Sequence, residues 1–146
     1  MALFYLTFVS GLLTVGLTAQ ADESTTATLY ERLGGWDGID RVARDTIARH
    51  HKNPAISHYF DKVDDDQLAA HVTAFFSAGT GGPSKYEGRD MTTTHANMKL
   101  SDADFDSAVA DVLSAVTANG IGAAEKAEVA AILESLRPAV MGTAGT

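Results

Sequence analysis

Gly79-Thr80-Gly81-Gly82-Pro83-Ser84-Lys85-Tyr86-Glu87-Gly88-Arg89-Asp90-Met91-Thr92-Thr93-Thr94-His95-Ala96-Asn97-Met98-Lys99-Leu100 is the long stretch of this chain that carries no sustained hydrophobic period. About twenty residues of irregular chain inside a compact domain usually mark a functional segment rather than a plain connection. The stretch holds a Gly-Gly-Pro punctuation, then Tyr86, Gly88, Met91, His95 and Met98. A short helical turn within it would aim the His95 imidazole toward a core built by its neighbours.

Those neighbours read as helices. Apolar residues recur at three- and four-residue spacings and no window alternates with period two, so the fold class is all-α. Upstream, Asp64 to Ala78 carries the stripe Leu68, Val72, Phe75 and Phe76, opened by Asp64-Asp65-Asp66, which suits a helix N-terminus. Before it, Trp36 to Lys52 places Ile39, Val42, Ala43 and Ile47 on one side and Asp40, Arg41, Arg44 and Arg49 on the other, ending at Asn53-Pro54. Downstream, Ser101-Asp102-Ala103-Asp104 resembles a capping box for a helix with Phe105, Val109, Val112, Leu113 and Val116, which stops at Asn119-Gly120. A last helix from Ala123 turns Val129, Ile132, Leu133, Leu136 and Val140 inward, with Pro138 weakening its final turn. The pairs Gly34-Gly35 and Gly81-Gly82 punctuate helix ends, where glycine accepts positive φ without steric cost.

Composition narrows the chemistry. The chain has 146 residues, the length of one domain able to bury a real core. Its formal charge of −8 argues against a nucleic-acid footprint, which needs clustered Lys and Arg. It has no cysteine, so disulfides, thiolate zinc sites, iron–sulfur clusters, catalytic thiols and thioether-linked haem are excluded. Residues 1–21 bear no charged side chain and end Thr18-Ala19-Gln20-Ala21, an A-x-A-like site followed by Asp22 and Glu23. This is the pattern of a cleaved secretory signal peptide, which leaves a single domain over residues 22–146 in a periplasmic or extracellular setting. The alternative is an uncleaved membrane anchor, since the apolar run approaches spanning length.

Five histidines are present: His50, His51, His58, His71 and His95. None stands in a His-Glu-x-x-His or Glu-x-x-His pair, and no Gly-x-Ser-x-Gly, phosphate loop or Ser-x-x-Lys appears, so zincin, di-iron, hydrolase and nucleotide chemistries drop out. His50, His51 and His58 read as solvated or hydrogen-bonded structural residues near Arg49, Lys52 and the Pro54 turn. His71 borders an apolar helix face, and His95 lies in the irregular segment. An imidazole from each side of a flat cofactor would make an axial ligand pair.

Leu29-Tyr30-Glu31-Arg32-Leu33-Gly34-Gly35, then Tyr59-Phe60, then Phe75-Phe76 before Gly81-Gly82-Pro83, then Tyr86-x-Gly88-x-x-Met91-x-x-x-His95, fall in this order from Thr28 to about Val140. In that order and spacing the chain resembles a group I truncated haemoglobin of the cyanobacterial and algal branch. The resemblance implies a two-over-two helical sandwich around haem b, with His95 as proximal iron ligand, Phe60 packed on the haem and Phe76 beside an apolar ligand tunnel. Met91 and Met98 are read as filler of irregular gaps.

The distal side departs from the family pattern. The position that many members fill with tyrosine is Ile47, and the usual polar positions on the next helix are Leu68 and Val72. None of the three donates a hydrogen bond, and each missing donor to a ligand that gathers negative charge costs about 1 kcal/mol. His71 stands ten residues before Gly81, where the cyanobacterial and algal branch carries a second axial histidine. The alternative for His71 is a hydrogen bond to a haem propionate. Thr46 is the nearest other hydroxyl, and Arg89 and Lys99 are the basic residues closest to His95. No histidine follows His95, so the covalent haem link of some members is not expected.

The function so implied is binding of diatomic gas (O2, NO, CO) by a monomer, with a redox partner protein as a further expectation. The acidic stretches 22–31 and 61–66 would meet such a partner. Neither nucleic acid nor, after cleavage, membrane is an expected partner. Two other classes stay open: a NO dioxygenase or peroxidase-like haem enzyme, and a haem-free helical protein holding zinc or copper through its histidines.

Overall fold

The computed structural model describes residues 27–142; the expected leader at 1–21, residues 22–26 and residues 143–146 lie outside the described residues. Among the described residues six helices follow one another: α1 Leu29–Arg32, α2 Gly35–Lys52, α3 Asp65–Gly79, α4 Met91–His95, α5 Asp102–Ala118 and α6 Ala123–Val140. A 3-10 turn, Ser57–Tyr59, joins α2 to α3. No strand occurs among the described residues.

The helix starts are chemically explicit. Thr28 accepts the Glu31 amide through its hydroxyl while the Glu31 carboxylate accepts the Thr28 amide, closing a capping box on α1. Asp64 accepts the Gln67 amide at 2.9 Å to open α3, and Ser101 and Asp104 form the second capping box, on α5. Between α1 and α2, Gly34 and Gly35 take φ of +89° and +65°, a reversal that residues with a β-carbon make only under strain. One turn later a β-carbon on Gly38 would run into the Leu33 carbonyl, so α2 starts pressed against the end of α1.

α2 is the central helix. It packs on α3 and on α5, α5 packs on α6, and α4 rests against α6, which gives the two-over-two layering of α2/α3 with α5/α6. The core joins Leu33, Ile39, Val116 and Val129, with Tyr30, Phe76 and Leu133 packed against it. α2 buries Ile39, Ala43 and Ile47 as the period predicts, and continues that stripe with polar Thr46 and His50. α3 differs from expectation in one respect. Its buried residues are Ala69, Thr73 and Ser77, at intervals of four, while Leu68, Val72, Phe75 and Phe76 are only half-buried. Close approach of two helices selects small side chains at the line of contact, so the large apolar residues stand beside that line. α6 runs through Pro138 to Val140. Arg137 meets Asp102, Asp106 and Glu134 and lies 4.2 Å over the Phe105 ring, tying the end of α6 to the start of α5. No helix among the described residues is long and apolar enough to cross a membrane.

Candidate cofactor site

His95 is the last residue of α4 and is half-buried. Its Nδ1 lies 2.8 Å from the carbonyl oxygen of Met91, one turn earlier. A carbonyl only accepts, so Nδ1 carries the proton and Nε2 keeps its lone pair. This hydrogen bond is the kind that orients a metal-ligating imidazole and fixes its tautomer.

The preceding segment holds α4 in place by a chain of contacts. The Tyr86 ring stands edge-on to Phe75 of α3, with centroids 5.3 Å apart. The Tyr86 hydroxyl donates to the Arg89 carbonyl at 3.1 Å, folding the chain over Gly88. A β-carbon at Gly88 would overlap the Tyr86 ring, which is why the Tyr-x-Gly spacing matters. Asp90 then caps α4. Its carboxylate accepts the Thr93 amide at 2.7 Å and the Thr93 hydroxyl at 3.0 Å, and these bonds hold its pKa below the usual carboxylate value. Phe75, Tyr86, the Asp90 cap, Met91 and His95 thus form one mechanical series from α3 to the imidazole.

On α3, Leu68, Val72, Phe75 and Phe76 present apolar surface that is half covered, and His71 is exposed. His71 makes no hydrogen bond or ion pair among the described residues. Val72 and Phe76 also front an apolar cavity of about 50 Å³ reaching between α2 and α5, lined further by Val42, Thr46, Val112 and Val116. The Thr46 hydroxyl is buried there without a hydrogen-bond partner. Ile47 does not share this cavity. It is 5% exposed and fronts a separate cleft with Arg44, Ala48 and Asp65. Arg89 and Lys99 are exposed, and Lys99 takes a left-handed φ of 51° in the turn after α4.

Phe60, just after the 3-10 turn, is held between two imidazoles. His50 stacks on it at 4.9 Å and 25°, and His51 meets it edge-on at 5.9 Å and 64°. His50 is 8% exposed and its Nδ1 lies 2.9 Å from Asp111 Oδ2. Burial pushes the His50 pKa down, against the opposing pull of Asp111. The Asn53 side-chain amide donates to the same Asp111 oxygen and to the Ser107 hydroxyl, both at 2.9 Å. The sequence places His50 among solvated or hydrogen-bonded structural histidines; it is hydrogen-bonded, and the partners of this cluster are what the sequence did not name. The available signal was its register, three residues after Ile47 and seven after Ala43. His51 pairs with Asp65 at 2.9 Å, and the His58 ring lies tilted at 39° against Tyr59, whose hydroxyl donates to Asp104. Among the described residues no three His, Asp or Glu side chains converge to hold a bare metal ion.

The family model described as bacterial-like globin matches residues 28–142. The group 1 truncated hemoglobin GlbN of Synechocystis sp. is 34% identical over 110 residues, covering 73% of this chain and 89% of that protein. The group 1 truncated hemoglobin of Tetrahymena pyriformis is 27% identical over 115 residues, 79% of this chain and 95% of its own. Among solved structures, the truncated hemoglobin of Tetrahymena pyriformis in its Fe(III) form gives a TM-score of 0.75 at 26% identity, over 79% of this chain and 98% of that one. The 2/2 hemoglobin from a Synechococcus species, in the cyanomet state with covalently attached heme, gives a TM-score of 0.74 at 23% identity over 80% of this chain and 99% of that one, a likeness of fold. The helical order, the layering and these matches agree that the chain belongs to the bacterial-like globin family, as a group 1 truncated haemoglobin.

Proposed function

We propose that this chain binds haem b with His95 as the proximal ligand and serves as a binder of diatomic gases. The observation that carries the reading is the hydrogen bond from His95 Nδ1 to the Met91 carbonyl, which leaves Nε2 as a lone-pair donor. The residues present fit the group. A single fixed imidazole suits a metal whose other ligands come from a macrocycle, and the half-covered Phe60, Leu68, Val72, Phe75, Phe76 and Met91 suit a flat apolar body. Bound haem would supply an iron centre able to take a diatomic gas.

The chain's own residues define the rest. Ile47, Leu68 and Val72 offer no hydrogen-bond donor, so gas binding lacks the stabilisation of a polar distal wall, about 1 kcal/mol per missing donor. His71, exposed on α3 and without another partner among the described residues, would be the chain's second imidazole available to the haem iron. Gases would then bind with affinity reduced by the fraction of molecules in which His71 is withdrawn. With the leader at 1–21 the setting we assign is the periplasm or the exterior.

The test is the visible spectrum of the haem-loaded chain from residue 22, ferric and ferrous, beside His95→Ala and His71→Ala. Loss of the Soret band or of a normal ligand field in His95→Ala, with helicity kept, supports the proximal assignment; a spectrum unaltered by that change sinks it. Sharp, split ferrous bands lost in His71→Ala support the second ligand. A five-coordinate ferrous spectrum indifferent to His71→Ala leaves an open gas binder instead.

A further inference from the structure

Behind Phe60 lies a polar cluster that the haem reading does not use: His50 and Asn53 from α2 and its end, Ser107 and Asp111 from α5. We propose that His50, locked by Asp111, is a positioning residue that sets the plane of Phe60 and through it the seating of the flat cofactor. The inference rests on the haem reading above and adds to it the device that orients one wall of the site.

Three observations carry it. The first is directional locking. Asp111 Oδ2 is an acceptor reached by both His50 Nδ1 and the Asn53 amide at 2.9 Å, so the imidazole presents an N–H there and cannot rotate without losing the bond. Asn53 also donates to Ser107, one turn before Asp111 on α5, and its backbone N–H bonds the His50 carbonyl, so the carboxylate's neighbours are themselves fixed. The second is the stack. The His50 ring lies 25° from the Phe60 plane at 4.9 Å, and His51 closes the notch at 64°, leaving Phe60 half-buried with its remaining surface uncovered.

The third is cost. An imidazole 8% exposed forfeits hydration, and its pKa is depressed by that burial. A leucine or phenylalanine would fill the same space without the penalty. What a hydrophobe cannot supply is a bond that fixes the ring's azimuth. Buried polar networks that are fully paired gain specificity of arrangement rather than raw stability. The charged groups acting on His50 are Asp111 across the interface and His51 on its own helix; the neighbouring Arg49 is paired with Asp45, and the segment bearing Phe60 presents it a neutral ring.

The experiment uses the full chain loaded with haemin and bound to cyanide, in wild type, His50→Phe, Asp111→Ala and the double variant. Proton NMR reads the haem-methyl resonances and the ratio of the two haem orientations, and urea unfolding reads stability. Expected are displaced methyl resonances and a several-fold larger minor orientation in both single variants, with no further displacement in the double variant, because both act through one bond. If His50→Phe does not fold, Asp111→Ala, which removes the acceptor and leaves the imidazole in place, gives the same reading alone. Variants that load haemin and lose stability but keep the wild-type methyl pattern and orientation ratio overturn the inference while leaving the haem reading intact. A wild-type chain that takes up no haemin overturns the haem reading and this inference with it.

Discussion

The ring of Tyr86 fills the space that a β-carbon on Gly88 would need. The two residues form a closed loop, since the Tyr86 hydroxyl reaches past Gly88 to the Arg89 carbonyl while the ring rests on Phe75. Tyr86 can therefore move away from a new methyl group only by giving up both contacts. Gly88→Ala is expected to cost about 1–3 kcal/mol, the usual range for forcing atoms into an occupied place. Because Asp90 and α4 follow directly, retention of haem should weaken as well. Urea unfolding and haem-loss kinetics check both parts, and a neutral substitution would mean that Tyr86 does not anchor the segment.

Asp90 caps the five-residue helix whose last residue is His95. So short a helix has little propensity to persist without a cap. Asp90→Ala is expected to fray α4 and to speed transfer of haem to a scavenging globin, whereas Asp90→Asn, which can also cap, should stay near wild type. The cap bonds depress the Asp90 pKa. Its contribution is thus complete above the ordinary carboxylate range and fades as pH falls through the depressed value. Haem loss from the wild type should accelerate in that acid window, and the part due to Asp90 should vanish in Asp90→Ala.

The long helices were readable because each repeats its apolar side for four or five turns. The spacing predicts Trp36 to Lys52 and Asp64 to Ala78, and α2 and α3 span Gly35–Lys52 and Asp65–Gly79. α1 and the 3-10 turn hold four and three residues, too few to display a period. Periodicity also finds the apolar side of α3 without finding its line of contact, which small Ala69, Thr73 and Ser77 occupy. His95 was legible through Tyr86, Gly88 and Met91 rather than through any period, since those residues build the loop that carries it. His50 was not, because a polar residue on an apolar stripe becomes informative only when its partner is known, and Asp111 lies 61 residues away.

Thr46 contrasts with the buried threonines within and at the end of α3. Thr73 donates to the Ala69 carbonyl at 2.7 Å and Thr80 to that of Phe76 at 2.6 Å, the usual outlet for a buried threonine in a helix. The Thr46 hydroxyl is buried at the apolar cavity with no such bond. A buried hydroxyl without a partner costs about 1–3 kcal/mol relative to one that is satisfied. Thr46→Val, nearly equal in shape, is therefore expected to stabilise the fold by about 1 kcal/mol, read as a higher urea midpoint at unchanged slope. Destabilisation would show that the hydroxyl has found a partner, such as a water in the cavity.

His50 gives the chain a pH dependence whose sign decides between two pictures of its pair with Asp111. If the ion pair dominated, the folded state would hold the proton more tightly than the unfolded chain and stability would rise on acidification. Burial instead lowers the His50 pKa, outweighing the pull of Asp111. The unfolded chain then binds the proton more tightly, at the ordinary histidine value of about 6.5. Stability is accordingly complete above that value and falls as pH drops from there toward the depressed folded value, levelling below it. One proton limits the slope to about 1.4 kcal/mol per pH unit. Other histidines titrate in the same range, so the informative quantity is the difference between wild type and His50→Phe. Urea unfolding across the range below neutral should give a steeper loss in the wild type and a flatter one in the variant. A variant that loses stability more steeply than the wild type on acidification would mean that the imidazolium–Asp111 pair governs the site after all.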